Sequence, residues 1–366
     1  MNATVLHGLS KSDTSKDLWN YKWTAQRVFQ APLAQRRYCL ACEDWHPMEC
    51  LIADVEWDST PCTPWSSSNN QRSRMDCPSN LVWMCNTQRH RQQRTKALHL
   101  ENVAAQPSWF VEKDYDEDRL LFRKQCEPAD VGFGYAARTR ALTFLPHKDR
   151  CRVTRDPMAL FDCVCRVLRA RDLTRPGLLL DVGDLEFLVE AQQLHRRRFR
   201  QDLPMHIVAA VTSGGADAVD FTWMLLPREL QSLMDFVERY SLITGGLDAF
   251  KNPELLVFLG DNASTHLSWS ATSGKIPTAR TNTGIMWSPH RKRWLTSRKM
   301  LSSMGIPQTQ RHLEALGLSA EDVRYLQLEH MSCSTRRHWA GNCVHAAVAG
   351  VFVGCTLASI QFTGQA

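Results

Sequence analysis

Cys62 is held between two prolines in the run Pro61-Cys62-Thr63-Pro64-Trp65-Ser66. Proline fixes its own φ and biases the residue before it towards extended backbone. A run rich in Ser and Asn follows, Ser66 to Asn70. Cys62 is therefore expected at the start of a rigid, polar, exposed turn, not in a core. Exposed thiols in polar surroundings are those that become reactive thiolates, and a thiolate is a covalent nucleophile. Arg138 and Arg140 are the second pair suited to chemistry. In an extended chain they lie on one face, where two guanidiniums can clamp a carboxylate or a phosphate. The alternative is a surface strand with ordinary arginines.

The elements that would position these residues are short. Leu51 to Val55 reads as a strand leading into the Cys62 loop, and chemistry in doubly wound folds sits in loops at the C-terminal ends of strands. Ala97-Leu98-His99-Leu100 reads as the next strand, delivering Glu101-Asn102-Val103 at its end. The separation from Cys62 leaves room for one helix and one strand, as two consecutive parallel strand ends require. A Gly-rich loop, Asp130 to Gly134, precedes Arg138-Thr139-Arg140 and the strand-like Ala141 to Leu145.

The Pro61 to Ser66 run resembles the Pro-Cys-Gln-Pro-Phe-Ser signature of DNA (cytosine-5) methyltransferases, with Thr63 in place of Gln and Trp65 in place of Phe. Glu101-Asn102-Val103 resembles the family's Glu-Asn-Val motif, Arg138-Thr139-Arg140 its Arg-x-Arg motif, and Gly341-Asn342-Cys343-Val344 its Gly-Asn-Ala-Val motif, in the expected order. Ile276-Pro277-Thr278 through Thr296 resembles a further Pro-Thr…Leu-Thr segment. The resemblance implies Cys62 as the thiolate that adds to C6 of cytosine. It implies Glu101 as the group holding the base edge, supported by Arg140 and Arg138. It implies S-adenosyl-L-methionine as cofactor, with Pro61, Asn102, Gly341, Asn342 and Val344 among the residues that bind it. DNA is the implied partner and the nucleus the implied location. The family's Gly-rich turn, which cradles the methionine end of the cofactor well before the Pro-Cys motif, has no counterpart ahead of Cys62. The expectation is thus an N-terminally incomplete cofactor site, which a partner chain could complete.

Cys39, Cys42, His46 and Cys50 form a Cys-x2-Cys-x3-His-x3-Cys cluster. Zinc takes such ligands at short spacings. The rival readings are a strand, Tyr38 to Cys42, with Glu43 at its end as a ribose-binding acid of the cofactor site, and a plain structural role. No metal is assigned.

The chain has 366 residues, 43% apolar, with 12 Trp, which suits two packed domains. The net charge of +6 permits a polyanionic partner without requiring one. The 13 Cys are odd in number and irregularly spaced, and Met1 to Lys16 carries no apolar signal-peptide core. These point to an intracellular protein with reduced cysteines. Cys343 to Ile360 is a long apolar run with Gly350 and Gly354 at Gly-x-x-x-Gly spacing. It is read as a buried helix in preference to a membrane helix, and no membrane partner is expected.

Residues 71–96 carry six basic side chains, Arg72, Arg74, Arg89, Arg91, Arg94 and Lys96, suited either to phosphates or to a solvated helix face. Helices are expected at Met158 to Arg171, Leu185 to Phe199 and Leu230 to Tyr240. The second ends in the basic cluster His195 to Arg200, which suits either a DNA backbone or a solvated helix end. Thr296 is a possible N-cap of a helix that Gly305-Ile306-Pro307 ends. The expected architecture is α/β: a Rossmann-like S-adenosylmethionine-dependent methyltransferase sheet, N-terminally incomplete, with an inserted α+β recognition region. Residues 1–37 form a poorly ordered lead-in, 38–150 the first part of the catalytic domain, 151–275 the target-recognition region, and 276–366 a segment returning to the catalytic domain. The expected function is methyl transfer to C5 of cytosine in DNA, with a catalytically inactive DNA-binding remnant of the same fold as the alternative.

Overall fold

Ala97–Val103 (β4) is buried along nearly its whole length, and such a strand must be covered on both faces. The computed structural model describes residues 21–30, 36–39, 44–47, 53–66, 74–169, 175–181, 183–278, 284–307 and 331–363. The chain divides into two compact units. One is formed by Met1–Cys126, Thr139–Val164 and Gly350–Ala366, the other by Glu127–Arg138 and Cys165–Ala349. These units cut the sequence differently from the four consecutive segments expected from it, because the chain leaves the first unit and returns to it twice.

In the first unit, Val55–Ser59 (β3) pairs parallel with β4. Arg140–Pro146 (β6) pairs antiparallel with β4 on its other side, and Phe122–Cys126 (β5) pairs antiparallel with β6, giving the order β3-β4-β6-β5. The sheet is thus mixed, and only its β3–β4 step is parallel. A parallel return needs a crossover of a dozen or more residues, usually helical. Between β3 and β4 the helix Asn80–Gln93 supplies one. Between β5 and β6 there is only the single 3-10 turn Pro128–Val131, and the strands run antiparallel.

Each face of the sheet meets helices of its own. Leu98 and Leu100 pack with Trp83 and Met84 of the Asn80–Gln93 helix, and with Phe110 and Tyr115 of the helix Ser108–Tyr115. On the opposite face His99 stacks on Phe144 with centroids 5.0 Å apart, and meets Phe352 edge-on at 6.0 Å. His99 Nε2 and Thr356 Oγ1 share a 2.7 Å hydrogen bond. Phe161 meets the same Phe352 edge-on at 5.5 Å. The helical stretch Cys333–Leu357 is long and apolar enough to cross a membrane by length and composition, yet Val348, Phe352, Cys355 and Thr356 within it are buried in the protein.

The strand expected at Tyr38 to Cys42 is Arg36–Cys39 (β1), paired antiparallel with Asp44–Pro47 (β2) in a separate two-stranded sheet. The four residues between them allow an antiparallel return and exclude a parallel one. The ribose reading of Glu43 required the C-terminal end of a parallel strand, and β1 is not one. Glu43 itself, with Cys42 and Cys50, lies outside the described residues. Among the described residues no group of three or more His, Cys, Asp or Glu is gathered as a metal-ligand set.

The second unit is mostly helical. Phe187, Ala191 and Leu194 of the helix Asp184–Phe199 share a core with Val211 of Met205–Gly214 and Leu233 and Phe236 of Pro227–Ile243. The core closes on a small antiparallel sheet of Val257–Phe258, Met286–Ser288 and Arg293–Trp294, through Trp287 and Trp294. Among the described residues of the insertion expected at 151–275, strand is confined to Cys151–Val153 and Val257–Phe258. Thr296 caps the helix Ser297–Ser302 as expected, its side chain accepting from the Lys299 amide. The carboxylate of Glu190 adds a second cap, taking hydrogen bonds from Ser297 N at 2.8 Å and Ser297 Oγ at 2.7 Å.

Candidate active site

The parallel register sets Ser59 beside Glu101. The chain leaving β3 therefore turns over the end of β4, where Glu101, Asn102 and Val103 lie. Cys62 follows Ser59 by three residues and is exposed. Its carbonyl accepts the amides of Trp65 at 3.0 Å and Ser66 at 2.9 Å, closing a tight turn. The turn is less polar than its composition suggests, because Pro64 and Trp65 are buried. Trp65 packs on Phe110 with ring centroids 4.9 Å apart, so a core side chain fixes the loop on its far side from β3.

Asn102 fixes the near side. Its side-chain amide donates to Thr60 Oγ1 at 3.1 Å, and its side-chain oxygen accepts the Val103 amide at 2.8 Å. Both polar groups of this buried side chain hold protein together. Asn102, assigned to the cofactor by resemblance, is placed as the strut of the Cys62 loop.

Glu101 is 7% exposed, and a buried carboxylate needs a partner. Arg140 supplies it as an ion pair, with Nε 2.7 Å from Glu101 Oε1. The two side chains share a face of the sheet, because Arg140 is in register with Val103, two residues along from Glu101. Among the described residues Oε2 has no hydrogen-bond partner, so one oxygen of a fixed carboxylate is available to a ligand.

Arg138 does not join this pair. It lies ahead of β6, where strand alternation does not apply, and belongs to the second unit. It is 3% exposed, and its Nη2 donates to the Gly341 carbonyl at 3.0 Å. The two-arginine clamp expected from the sequence is therefore replaced by two separate roles. Gly341 and Asn342 end the helix Cys333–Asn342, and Asn342 Nδ2 is 2.9 Å from His338 Nε2. Val344 is half-buried just beyond. Pro61 is exposed beside Cys62.

One polar cluster went unread in the sequence. Glu56 and Asp58 alternate with Trp57 on β3 and share the face of Leu98 and Leu100, against the Asn80–Gln93 helix. Glu56 forms an ion pair with Arg89 and lies 3.6 Å from His90 Nε2. Burial raises its carboxyl, but His90 and Arg89 outweigh that and hold it down to about 2. Asp58 accepts from Asn86 Nδ2 at 2.8 Å, and burial pushes its carboxyl up. His90, fully buried and hydrogen-bonded to the Tyr115 hydroxyl at 2.8 Å, is driven towards the neutral form by burial. Inward charges on an end strand are a feature that only the packed structure reveals here. It locks the strand that carries Cys62 to its helix.

Some of the arginines expected to face phosphates are paired with other groups of the protein. Arg91 donates to the Asp114 carbonyl and Arg94 to Asp149. In the second unit Arg198 donates to Glu229 Oε1 at 2.6 Å, and His195 Nδ1 bonds the Gln201 carbonyl at 2.9 Å. Arg197 and Arg200 of that cluster are exposed.

No family model matches the chain, and no curated protein does. Among solved structures, a methyltransferase of Entamoeba histolytica, EhMeth, is similar at 12% identity with a TM-score of 0.42, over 85% of this chain and 79% of that one.

Proposed function

We propose that this chain acts on cytosine in DNA, in the nucleus, as DNA (cytosine-5) methyltransferases do, with Cys62 as the covalent nucleophile. The observation that carries the reading is that the chain enters the Cys62 turn from Ser59, in parallel register with Glu101, whose buried carboxylate is paired with Arg140. Cytosine C5 is a weak nucleophile. Addition of the Cys62 thiolate to C6 forms an S–C6 bond and moves the C5–C6 π pair to C5, which becomes enamine-like. Glu101 would hold the polar edge of the base, accepting from the exocyclic amine and sharing a proton with N3; that proton on N3 offsets the negative charge that builds as sulfur adds. Once C5 has bonded to an electrophilic carbon, loss of its proton re-forms the C5–C6 double bond and expels the Cys62 thiolate, which returns the enzyme. The base reaches the thiol only when flipped out of the duplex, at a cost of a few kcal/mol.

S-adenosylmethionine is the methyl donor the resemblance implies. The residues assigned to it do not fit a donor cradle as they stand: Asn102 is engaged with Thr60 and Val103, Asn342 with His338, and the Gly341 carbonyl with Arg138. That observation favours the second reading, a DNA-binding protein of the same fold that does not transfer methyl groups. The experiment is incubation with duplex DNA containing 5-fluorocytosine and labelled S-adenosylmethionine. Fluorine at C5 blocks the final elimination and traps the thioether. An adduct lost in Cys62→Ser supports the enzyme. DNA binding with neither adduct nor S-adenosylmethionine binding supports the second reading and overturns the first.

A further inference from the structure

Past Cys62 the turn becomes one wall of a cavity of about 700 Å3, formed by Pro64 and Trp65. The facing wall, Ala105, Pro107 and Trp109, is the segment that leaves β4 just after Glu101. Both walls are thus continuations of the two strands that carry the candidate site. The volume lies in the range of small-molecule and base-sized pockets, roughly 300–1,000 Å3. Trp109 is 48% exposed, on the first turn of Ser108–Tyr115. It contacts Trp65 at 6.4 Å with planes 87° apart and Phe110 at 6.0 Å with planes 82° apart. Edge-to-face support of this kind steadies an indole while leaving part of its surface open.

At the rim stand Arg74 and Asp76. Arg74 has φ 49°, a left-handed conformation that a side chain other than glycine adopts at a cost. Asn80, 3% exposed, holds it there, its side-chain amide donating to the Arg74 carbonyl at 2.8 Å and the Met75 carbonyl at 2.9 Å. The Arg74 backbone is thereby fixed, and the residue places one cation beside an aromatic slot.

We propose that this groove binds an unpaired base of the DNA substrate, next to the cytosine that meets Cys62, stacked on Trp109 with its phosphate towards Arg74. The inference rests on the cytosine reading above and adds to it a site for the neighbouring nucleotide. A flat aromatic surface beside one cation is the combination that single-stranded nucleic acid sites use. The adenine of a cofactor offers the same ring chemistry, but small-molecule sites bury some 70–90% of their ligand, and Trp109 is half open to solvent.

The test is binding of a fluorescently labelled single-stranded oligonucleotide containing 5-fluorocytosine to the full chain, by anisotropy at several salt concentrations. Trp109→Ala weakens binding about 5- to 150-fold with an unchanged salt slope, and Trp109→Phe retains most of the affinity. Arg74→Gln lowers the salt slope by about one, and Asp76→Asn tightens binding. Thermal melts confirm folding; should Trp109→Ala not fold, Trp109→Phe and Arg74→Gln decide, and wild-type affinity and salt slope in both overturns the proposal. Wild-type affinity in folded Trp109→Ala overturns it, as does a Trp109→Ala defect seen only with S-adenosylhomocysteine in calorimetry. The two readings separate cleanly. A Cys62 adduct with normal Trp109→Ala binding sinks the groove alone, whereas weakened Trp109→Ala binding without any adduct sinks the cytosine chemistry and leaves the groove standing.

Discussion

Arg140 Nε lies 2.7 Å from Glu101 Oε1, on the same face of the sheet and across one strand boundary. The pair fixes a carboxylate that would otherwise be buried alone, near the end of β4. Glu101→Gln keeps the shape and removes the charge. Loss of a preorganised group of this kind typically costs about 10²–10³ in rate, and the 5-fluorocytosine adduct should form more slowly by that order. Arg140→Lys should fall between wild type and Arg140→Ala, since an ammonium restores charge without the planar fork. Equal adduct rates in wild type and Glu101→Gln would remove Glu101 from the chemistry.

Asn102 is predicted to be a structural residue of the loop, and its variants separate that role from cofactor binding. Asn102→Ala strands Thr60 and the Val103 amide in a buried setting. The expected loss is about 1–3 kcal/mol of stability, read by urea denaturation, with faster protease cleavage at residues 60–66. Asn102→Asp keeps the acceptor for Val103 but loses the donor to Thr60 and buries a carboxylate, so its loss at neutral pH should be at least as large. An Asn102→Ala protein of unchanged stability and cleavage would contradict the strut.

The strand ending near Glu101 was legible from the apolar run before it and a connection of the right length for a helical crossover, whereas the strand before Cys62, expected at Leu51 to Val55, is Val55–Ser59, whose alternating charges hid it. What escaped depends on contacts distant in sequence. The Ser-rich run after Trp65 made the loop look wholly polar, while Trp65 is buried by Phe110, more than forty residues away. Arg138 and Arg140 were placed on one face by strand alternation, yet β6 starts at Arg140 and the rule does not reach Arg138. Glu56 and Asp58 gave no sign of being charges turned inward, because that depends on His90 and Arg89 arriving on the next helix.

Trp65 yields a prediction where the chain departs from the family pattern it resembles. It is 6% exposed and packs on Phe110, so Trp65→Ala should cost about 3–5 kcal/mol through the cavity it leaves. Trp65→Phe keeps an aromatic ring against Phe110 and should cost less than half as much. Chemical denaturation of the two variants checks the ordering, and equal losses would mean the loop does not depend on this ring contact.

Acid should destabilise the protein in two windows of different origin. Burial holds His99 and His345 down to about 4, with Arg138 adding to the effect at His345. In the unfolded chain each imidazole protonates near 6.5, so between pH 6.5 and 4 the unfolded state binds more protons and stability falls as pH falls. A depression of that size corresponds to about 3 kcal/mol for each histidine once both states are protonated. Glu56, held at about 2 by His90 and Arg89 against the burial that raises it, has a lower window. Its contribution is present above pH 4.5 and is lost as pH falls towards 2. Urea midpoints measured from pH 7 to 3 should therefore fall first through the histidine window. His99→Phe keeps a ring against Phe144 and removes the titrating group, while Thr356 can still donate to the Phe352 carbonyl. It should flatten the slope between pH 6.5 and 4 and leave the lower fall in place. Glu56→Gln should do the reverse, and a His99→Phe protein with the wild-type slope would mean that this imidazole does not set the acid sensitivity.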